Sequence, residues 1–169
     1  DLCLNELRGR PNCRIIGVSG SKGKSTSVSA LAFMLKKLGY RVGLGGNIGR
    51  PLIELLDGEY DFVVAEISSY QASDLTVSPQ IAMFTNLFYV HSEWHNGHEN
   101  YCRDKVHLVA NQKDGDVFFA NARNQQLMDY TEDFAAHRKL YDVADGFYAE
   151  GKSLYRCGEK LFDLEELKL

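Results

Sequence analysis

Short apolar runs, each closed by turn residues, dominate the first two thirds of the chain. The run 13–18 is rich in β-branched residues and ends at a Ser-Gly turn, the mark of a buried parallel strand. Behind it Val28, Leu31, Leu35 and Leu38 recur at three- and four-residue steps up to Gly39, so the spacing predicts a helix over 24–38. Further strand-like runs stand at 41–44, 62–67, 81–85 and 117–120, with helical segments expected at 51–56, 99–111 and 124–137. Strands alternating with helices predict an α/β fold, a mostly parallel sheet with helices on both faces. After about residue 139 the pattern changes to short aromatic strands at 140–143, 147–150, 153–156 and 160–164, separated by Asp-Gly, Glu-Gly-Lys and Cys-Gly-Glu turns. This tail reads as a C-terminal antiparallel β-meander packed on the same domain.

A length of 169 residues suits a single domain around one core. The net charge is −4 and no Lys/Arg-rich run occurs, which argues against a nucleic-acid or anionic-membrane surface and makes any phosphate affinity local. The apolar runs are far shorter than a spanning helix and the acidic, polar N-terminus lacks the layout of a signal peptide, so a cytoplasmic protein is expected; a monomer is expected as well. Cys3, Cys13, Cys102 and Cys157 have no paired spacing, which suggests neither a zinc knuckle nor a disulfide framework.

Between the first strand and the first helix lies Ser19-Gly20-Ser21-Lys22-Gly23-Lys24-Ser25-Thr26. Glycines there let backbone N–H groups converge on phosphate oxygens, and the helix N-terminus adds its dipole. Lys24 can reach terminal phosphates and Ser25 can ligate Mg²⁺, so the sheet is expected to be of the P-loop type, binding a nucleotide. The loop departs from the general pattern in having Val18 five residues before Gly23, with Gly20 closer in. A phosphate loop does not name a reaction. A GTPase reading lacks its Asp-x-x-Gly, and Asn111-Gln112-Lys113-Asp114 has its lysine misplaced for guanine recognition.

The segments Gly20 to Thr26, Gly45-Gly46-Asn47-Ile48-Gly49, Glu66-Ile67-Ser68-Ser69-Tyr70-Gln71, Thr85-Asn86 and His91 through Lys105 occur in an order and spacing that resembles the central domain of the peptidoglycan Mur ligases. Among these the glutamate-adding enzymes are most similar. The resemblance implies ATP and Mg²⁺ as cofactors, with Gly20, Ser21, Lys22, Gly23, Lys24, Ser25, Thr26 and Asn86 at the nucleotide. It implies Ser25, Glu66, His91 and Lys105 as metal ligands, and Lys24, Asn47, His91 and Lys105 at the reacting groups.

Read from the residues alone, several of these positions keep two meanings. Glu66 ends a buried strand at the edge where open α/β sheets assemble their sites, yet such a carboxylate also caps turns, as Ser68 and Ser69 can. His91, His95 and His98 lie within eight residues, but Glu93 is one place too late for a zinc-protease helix motif and Asn96-Gly97 breaks any helix. The resemblance makes His91 the functional histidine and leaves His95 and His98 to loop structure or surface. Similar ligases carry an acidic residue directly before that histidine, where this chain has Val90; Glu93 stands nearby. Lys105 is a solvated helix lysine on its own terms and a carbamylated metal ligand by resemblance. Asn47 is a turn residue on its own terms and neighbours the transferred phosphoryl group by resemblance.

The implied activity is ATP-dependent amide formation through an acyl-phosphate, adding D-glutamate to UDP-N-acetylmuramoyl-L-alanine. The implied organisation is one ATP-binding central domain over 1–169, with the UDP-binding and amino-acid-binding domains outside it and turnover requiring them. Two other readings stand beside it: a related ligase with another acceptor, such as L-glutamate or folate-linked glutamate, and a non-catalytic nucleotide-binding module.

Overall fold

The computed structural model describes residues 1–90 and 93–166. Five strands expected from the apolar runs, or runs overlapping them, form the body of one sheet: β1 (Arg14–Ser19), β2 (Val42–Gly46), β3 (Phe62–Glu66), β4 (Ile81–Phe84) and β5 (Val117–Asn121). A sixth, β6 (Arg138–Tyr141), completes it in the order β2-β3-β1-β4-β5-β6, and every pairing is parallel.

Alternation along the strands sends side chains to opposite faces of the sheet. Ile16, Val18 and Val64 meet Val28 and Ala32 of α2 (Lys24–Lys37) on one face. Ile15, Val63, Ala65, Ala82, Phe84 and Phe118 face the other way. There they pack on α1 (Leu2–Arg8), α3 (Ser69–Ser73), α4 (His98–Ala110) and α5 (Gln125–Tyr130). Helices on both faces of a parallel sheet are therefore observed, as the alternating pattern implied.

Several boundaries differ from expectation. The strand expected at 140–143 as the first of the meander is β6, lying parallel beside β5 with Ala120 opposite Leu140, so the meander has three strands. These are β7 (Phe147–Glu150), β8 (Ser153–Arg156) and β9 (Glu159–Asp163). The aromatic alternation cannot distinguish a last parallel strand from a first hairpin strand, whereas the crossover that precedes it can.

The helix expected over 124–137 is broken: α5 ends at Tyr130 and a 3-10 segment follows at Glu132–His137, with Phe134 outside helical geometry. The α-helical ladder runs as far as Thr131, whose N–H and hydroxyl both donate to the Leu127 carbonyl, and Phe134 N–H then bonds only three residues back, to the Thr131 carbonyl. The segment 51–56 is a single 3-10 turn, Leu52–Leu55. Two short helices, α1 and α3, were not foreseen; the first buries Leu4 and Leu7, and the second opens on a Ser68–Gln71 capping box.

Candidate active site

The carboxyl ends of β1, β2, β3 and β4 converge where the glycine loop turns into α2, the edge at which open α/β sheets bind ligands. α2 opens on Gly23 at φ +82°, with no side chain capping its first turn, so its leading amides point outward. That is the geometry of an anion site.

The rest of the loop is held from behind. Asn86 grips the Lys22 backbone at both ends: Lys22 N–H donates to Asn86 Oδ1 at 2.9 Å, and Asn86 Nδ2 donates to the Lys22 carbonyl at 3.0 Å. The Thr85 hydroxyl donates to the same carbonyl at 2.6 Å. Ser21 N–H donates to the Asn86 carbonyl, and its hydroxyl lies 3.0 Å from Tyr101 Oη of α4. Burial pushes the Tyr101 phenol up from its ordinary pKa, so it remains a neutral hydrogen-bonding group. Gly20 sits at φ +142°, and a Cβ there would meet Thr85 Oγ1 at 2.0 Å. Only glycine fits so close beneath β4.

Glu66, at 1 % exposure, closes the floor of the site. Its Oε2 accepts from the Ser25 hydroxyl at 2.8 Å and its Oε1 from Asn47 Nδ2 at 2.9 Å. Three of the residues singled out by sequence thus form one chain across α2, β3 and the loop after β2. Gly46 makes this possible, since it adopts φ +104° with its Cα so near β3 that a Cβ would meet the Glu66 carbonyl oxygen at 2.2 Å. Asn47 N–H then donates to that same carbonyl oxygen at 2.9 Å.

Lys105 comes down from α4 at 2 % exposure. Its Nζ donates to the Gly20 carbonyl at 3.0 Å, approaches Ser19 Oγ at 3.5 Å and lies 5.0 Å from the Tyr101 ring centroid. Lys24 Nζ donates to the same Gly20 carbonyl, also at 3.0 Å. Burial first, and the charge of Lys24 second, push the Lys105 pKa down to about 7. Lysine is therefore not a solvated helix residue here. Thr26 stands exposed in the first turn of α2.

His91 lies outside the described residues. Val90, its predecessor, packs against the main core. His95 is buried and bridges Asp104 to Ser69 rather than lying on the surface; His98 contacts Gln126 and the Cys102 thiol. Sequence reasoning did not find Thr85 as part of the loop clasp, nor Tyr101, although Tyr101 and Lys105 stand four apart on one face of α4.

Chemically, the arrangement offers a cradle of amides with two lysine amines behind it, next to a buried carboxylate and a hydroxyl. Among the described residues no ion pair engages Glu66, and no group of three His, Cys, Asp or Glu side chains gathers. A divalent ion held here would rely on oxygen ligands from Ser25, Glu66, phosphate and water, which suits Mg²⁺ rather than zinc. A cleft of about 560 Å³ opens alongside, lined in part by Gly46, Gly49, Tyr70 and Gln71. Among the described residues no helix is long and apolar enough to cross a membrane.

Comparison with known proteins gives the same direction. Residues 18–160 match the family model described as the Mur ligase middle domain. A UDP-N-acetylmuramoyl-L-alanine–L-glutamate ligase of Xanthomonas axonopodis pv. citri is 34 % identical over 160 residues, covering 92 % of this chain and 34 % of the relative. A UDP-N-acetylmuramoylalanine–D-glutamate ligase of Thermotoga petrophila is 33 % identical over 149 residues, covering 87 % and 34 %. The chain therefore spans about a third of the length of these relatives. Among solved structures, MurF of Acinetobacter baumannii superposes with a TM-score of 0.75 at 17 % identity, over 95 % of this chain and 39 % of that one. FolC of E. coli, solved with DHPP and ADP, gives 0.66 at 16 % identity, over 96 % and 50 %. At such identities these two likenesses speak for the fold.

Proposed function

Because this chain belongs to the Mur ligase middle-domain family, we propose that it is the ATP-binding core of an acid–amino-acid ligase, the enzyme joining glutamate to UDP-N-acetylmuramoyl-L-alanine. The observation that carries this reading is the convergence of Lys24 and Lys105 on one carbonyl oxygen beside the Ser25–Glu66–Asn47 chain. Two lysine amines turned onto one carbonyl oxygen, next to a hydroxyl and a buried carboxylate, keep N–H donors for further oxygen acceptors, and a polyphosphate supplies them.

A carboxylate resists attack by an amine because oxide cannot leave. The amides of the glycine loop and Lys24 hold the triphosphate so that a carboxylate oxygen of the substrate attacks the γ-phosphorus and ADP departs. The glutamate amine then attacks the acyl carbon, phosphate leaves, and the amine loses its proton. The cleft lined by Gly46 and Gly49 has room for the acid, and the Asn47 amide is assigned to the transferred group. Mg²⁺, held by Ser25 and Glu66, would neutralise phosphate charge when bound.

Lys105, His91 and Asn86 complete the proposed set. A lysine near pKa 7 has an amine free to add CO₂ and release a proton, giving the carbamate that the family resemblance implies. Uptake of ¹³C-labelled CO₂ by the full enzyme, lost in Lys105→Ala, would reveal it by NMR. Asn86 serves the nucleotide through the loop it grips. Glutamate stereochemistry is set by whatever holds the amine, since relatives named for either enantiomer share this domain.

The decisive experiment uses the full-length ligase with ¹⁸O in the substrate carboxylate. One labelled oxygen should appear in released phosphate, and Lys24→Ala should lower turnover about 100-fold or more, as loss of one preorganised cationic donor does. Unlabelled phosphate would remove the acyl-phosphate. Unchanged turnover in Lys24→Ala would instead favour a non-catalytic nucleotide module.

A further inference from the structure

We propose that His95 is a positioning residue for this reaction, the bridge of an Asp104–His95–Ser69 chain that fixes the Glu66 and Lys105 sides of the site relative to one another; the proposal rests on the ligase reading above. His95 sits at 5 % exposure in a 3-10 turn, Glu93–His95. Its Nδ1 lies 2.5 Å from Asp104 Oδ2 and its Nε2 3.0 Å from Ser69 Oγ. A neutral ring with its proton on Nδ1 satisfies both: it donates to the carboxylate and accepts from the hydroxyl.

The three residues belong to three elements. Ser69 is the first residue of α3, three positions after Glu66. Asp104 immediately precedes Lys105 on α4. The imidazole is also sandwiched by rings, stacked on Tyr70 at 5.3 Å and edge-on to Tyr101 at 5.4 Å. Tyr101 in turn touches Ser21 of the glycine loop. A histidine that merely filled space would need none of these polar partners, and one that merely capped a loop would not join the two helices. A fixed tautomer joins a carboxylate and a hydroxyl in one defined geometry, so α3 and α4 cannot slide past each other without breaking it. Displacements of about 1 Å at reacting groups cost about 100-fold in rate.

The test uses the full-length enzyme carrying His95→Phe, Asp104→Asn or Ser69→Ala. His95→Phe keeps a ring for Tyr70 and Tyr101 but removes both hydrogen bonds, whereas Asp104→Asn keeps an acceptor for Nδ1–H. Two quantities are compared: the dissociation constant of a non-hydrolysable ATP analogue with and without Mg²⁺, and kcat against KM for ATP. In His95→Phe, metal-free nucleotide binding should stay within about twofold because Asn86 holds the loop independently. The tightening due to Mg²⁺ and kcat should each fall about tenfold, the scale seen when groups orienting metal ligands are lost, whereas the separate variant Asp104→Asn should retain most of both. If His95→Phe does not fold, Ser69→Ala decides by the same two ratios, with a fall of about threefold expected. Lowered thermal stability with Mg²⁺ tightening and kcat unchanged would overturn the proposal. If the unaltered enzyme bound nucleotide equally with and without Mg²⁺, the ligase reading would fall, and this proposal with it.

Discussion

Lys105 shows how one residue's environment converts a common side chain into a specialised one. In an unfolded chain its amine titrates near 10.5, and in the folded protein near 7. Between those values the unfolded chain holds the proton that the native state has shed, so stability from this group rises with pH across that window. Below about 7 both states are charged and burial of the cation weighs fully on the fold. The unfolding free energy of the unaltered protein should therefore gain on that of Lys105→Met as pH increases from about 7 to about 10, followed by urea denaturation. A difference that stayed flat would mean the amine keeps its ordinary proton affinity. Gly20 is the opposite case, a residue chosen for what it lacks. Gly20→Ala would drive a methyl group into Thr85 at a backbone angle unfavourable to alanine, and is expected to cost about 2 kcal/mol and abolish nucleotide binding measured by fluorescence titration.

At the scale of elements, the glycine loop is not free to shape itself around a ligand. Its apex is tied to the end of β4 through Asn86 and Thr85 and to α4 through Tyr101, while only the amides at the start of α2 remain directed outward. A loop fixed in advance loses little entropy when phosphate arrives. Asn86→Ala should weaken nucleotide binding about tenfold, with a stability loss of about 1–2 kcal/mol from two broken hydrogen bonds. Calorimetric titration checks the first and thermal melting the second. α3 offers a control: Ser68→Ala removes a capping box and should cost about 1 kcal/mol without altering the glycine loop it does not touch.

For the whole molecule, the core on the α4 face of the sheet is the larger, and α1 is fastened to it from outside. Arg8 donates to Asp116 Oδ2 and to the Ser78 carbonyl, both at 2.6 Å, which pins the first helix to the turn before β5. Both side chains are largely buried, so removing one partner strands the other. Asp116→Ala should lower stability by about 3–5 kcal/mol in denaturant unfolding, much more than an exposed pair such as Arg103–Glu99 would. Phe118→Ala, at the centre of the same core, belongs in a similar range of about 3–5 kcal/mol.

Periodicity and loop chemistry alone determined the α/β class, the parallel sheet, the glycine loop before α2 and the last three of the four strands expected in the meander, because each leaves a local trace: apolar runs, glycine before Lys-Ser, turn dipeptides. Family resemblance, not periodicity, brought forward Asn47, Glu66 and Lys105 beside the loop residue Ser25, without saying which of them meet. Tertiary structure decided what depends on distant partners. β6 joined the main sheet because the helical crossover through α5 and the 3-10 segment returned it parallel beside β5, a fact its alternating residues could not express. Burial under α4 gave Lys105 its proton affinity and gave His95 two partners, each supplied by a different helix. Hydrogen bonds between residues tens of positions apart have no signature in local spacing, so the clasp on the glycine loop and the chain through His95 exist only once the sheet has brought its carboxyl edges together.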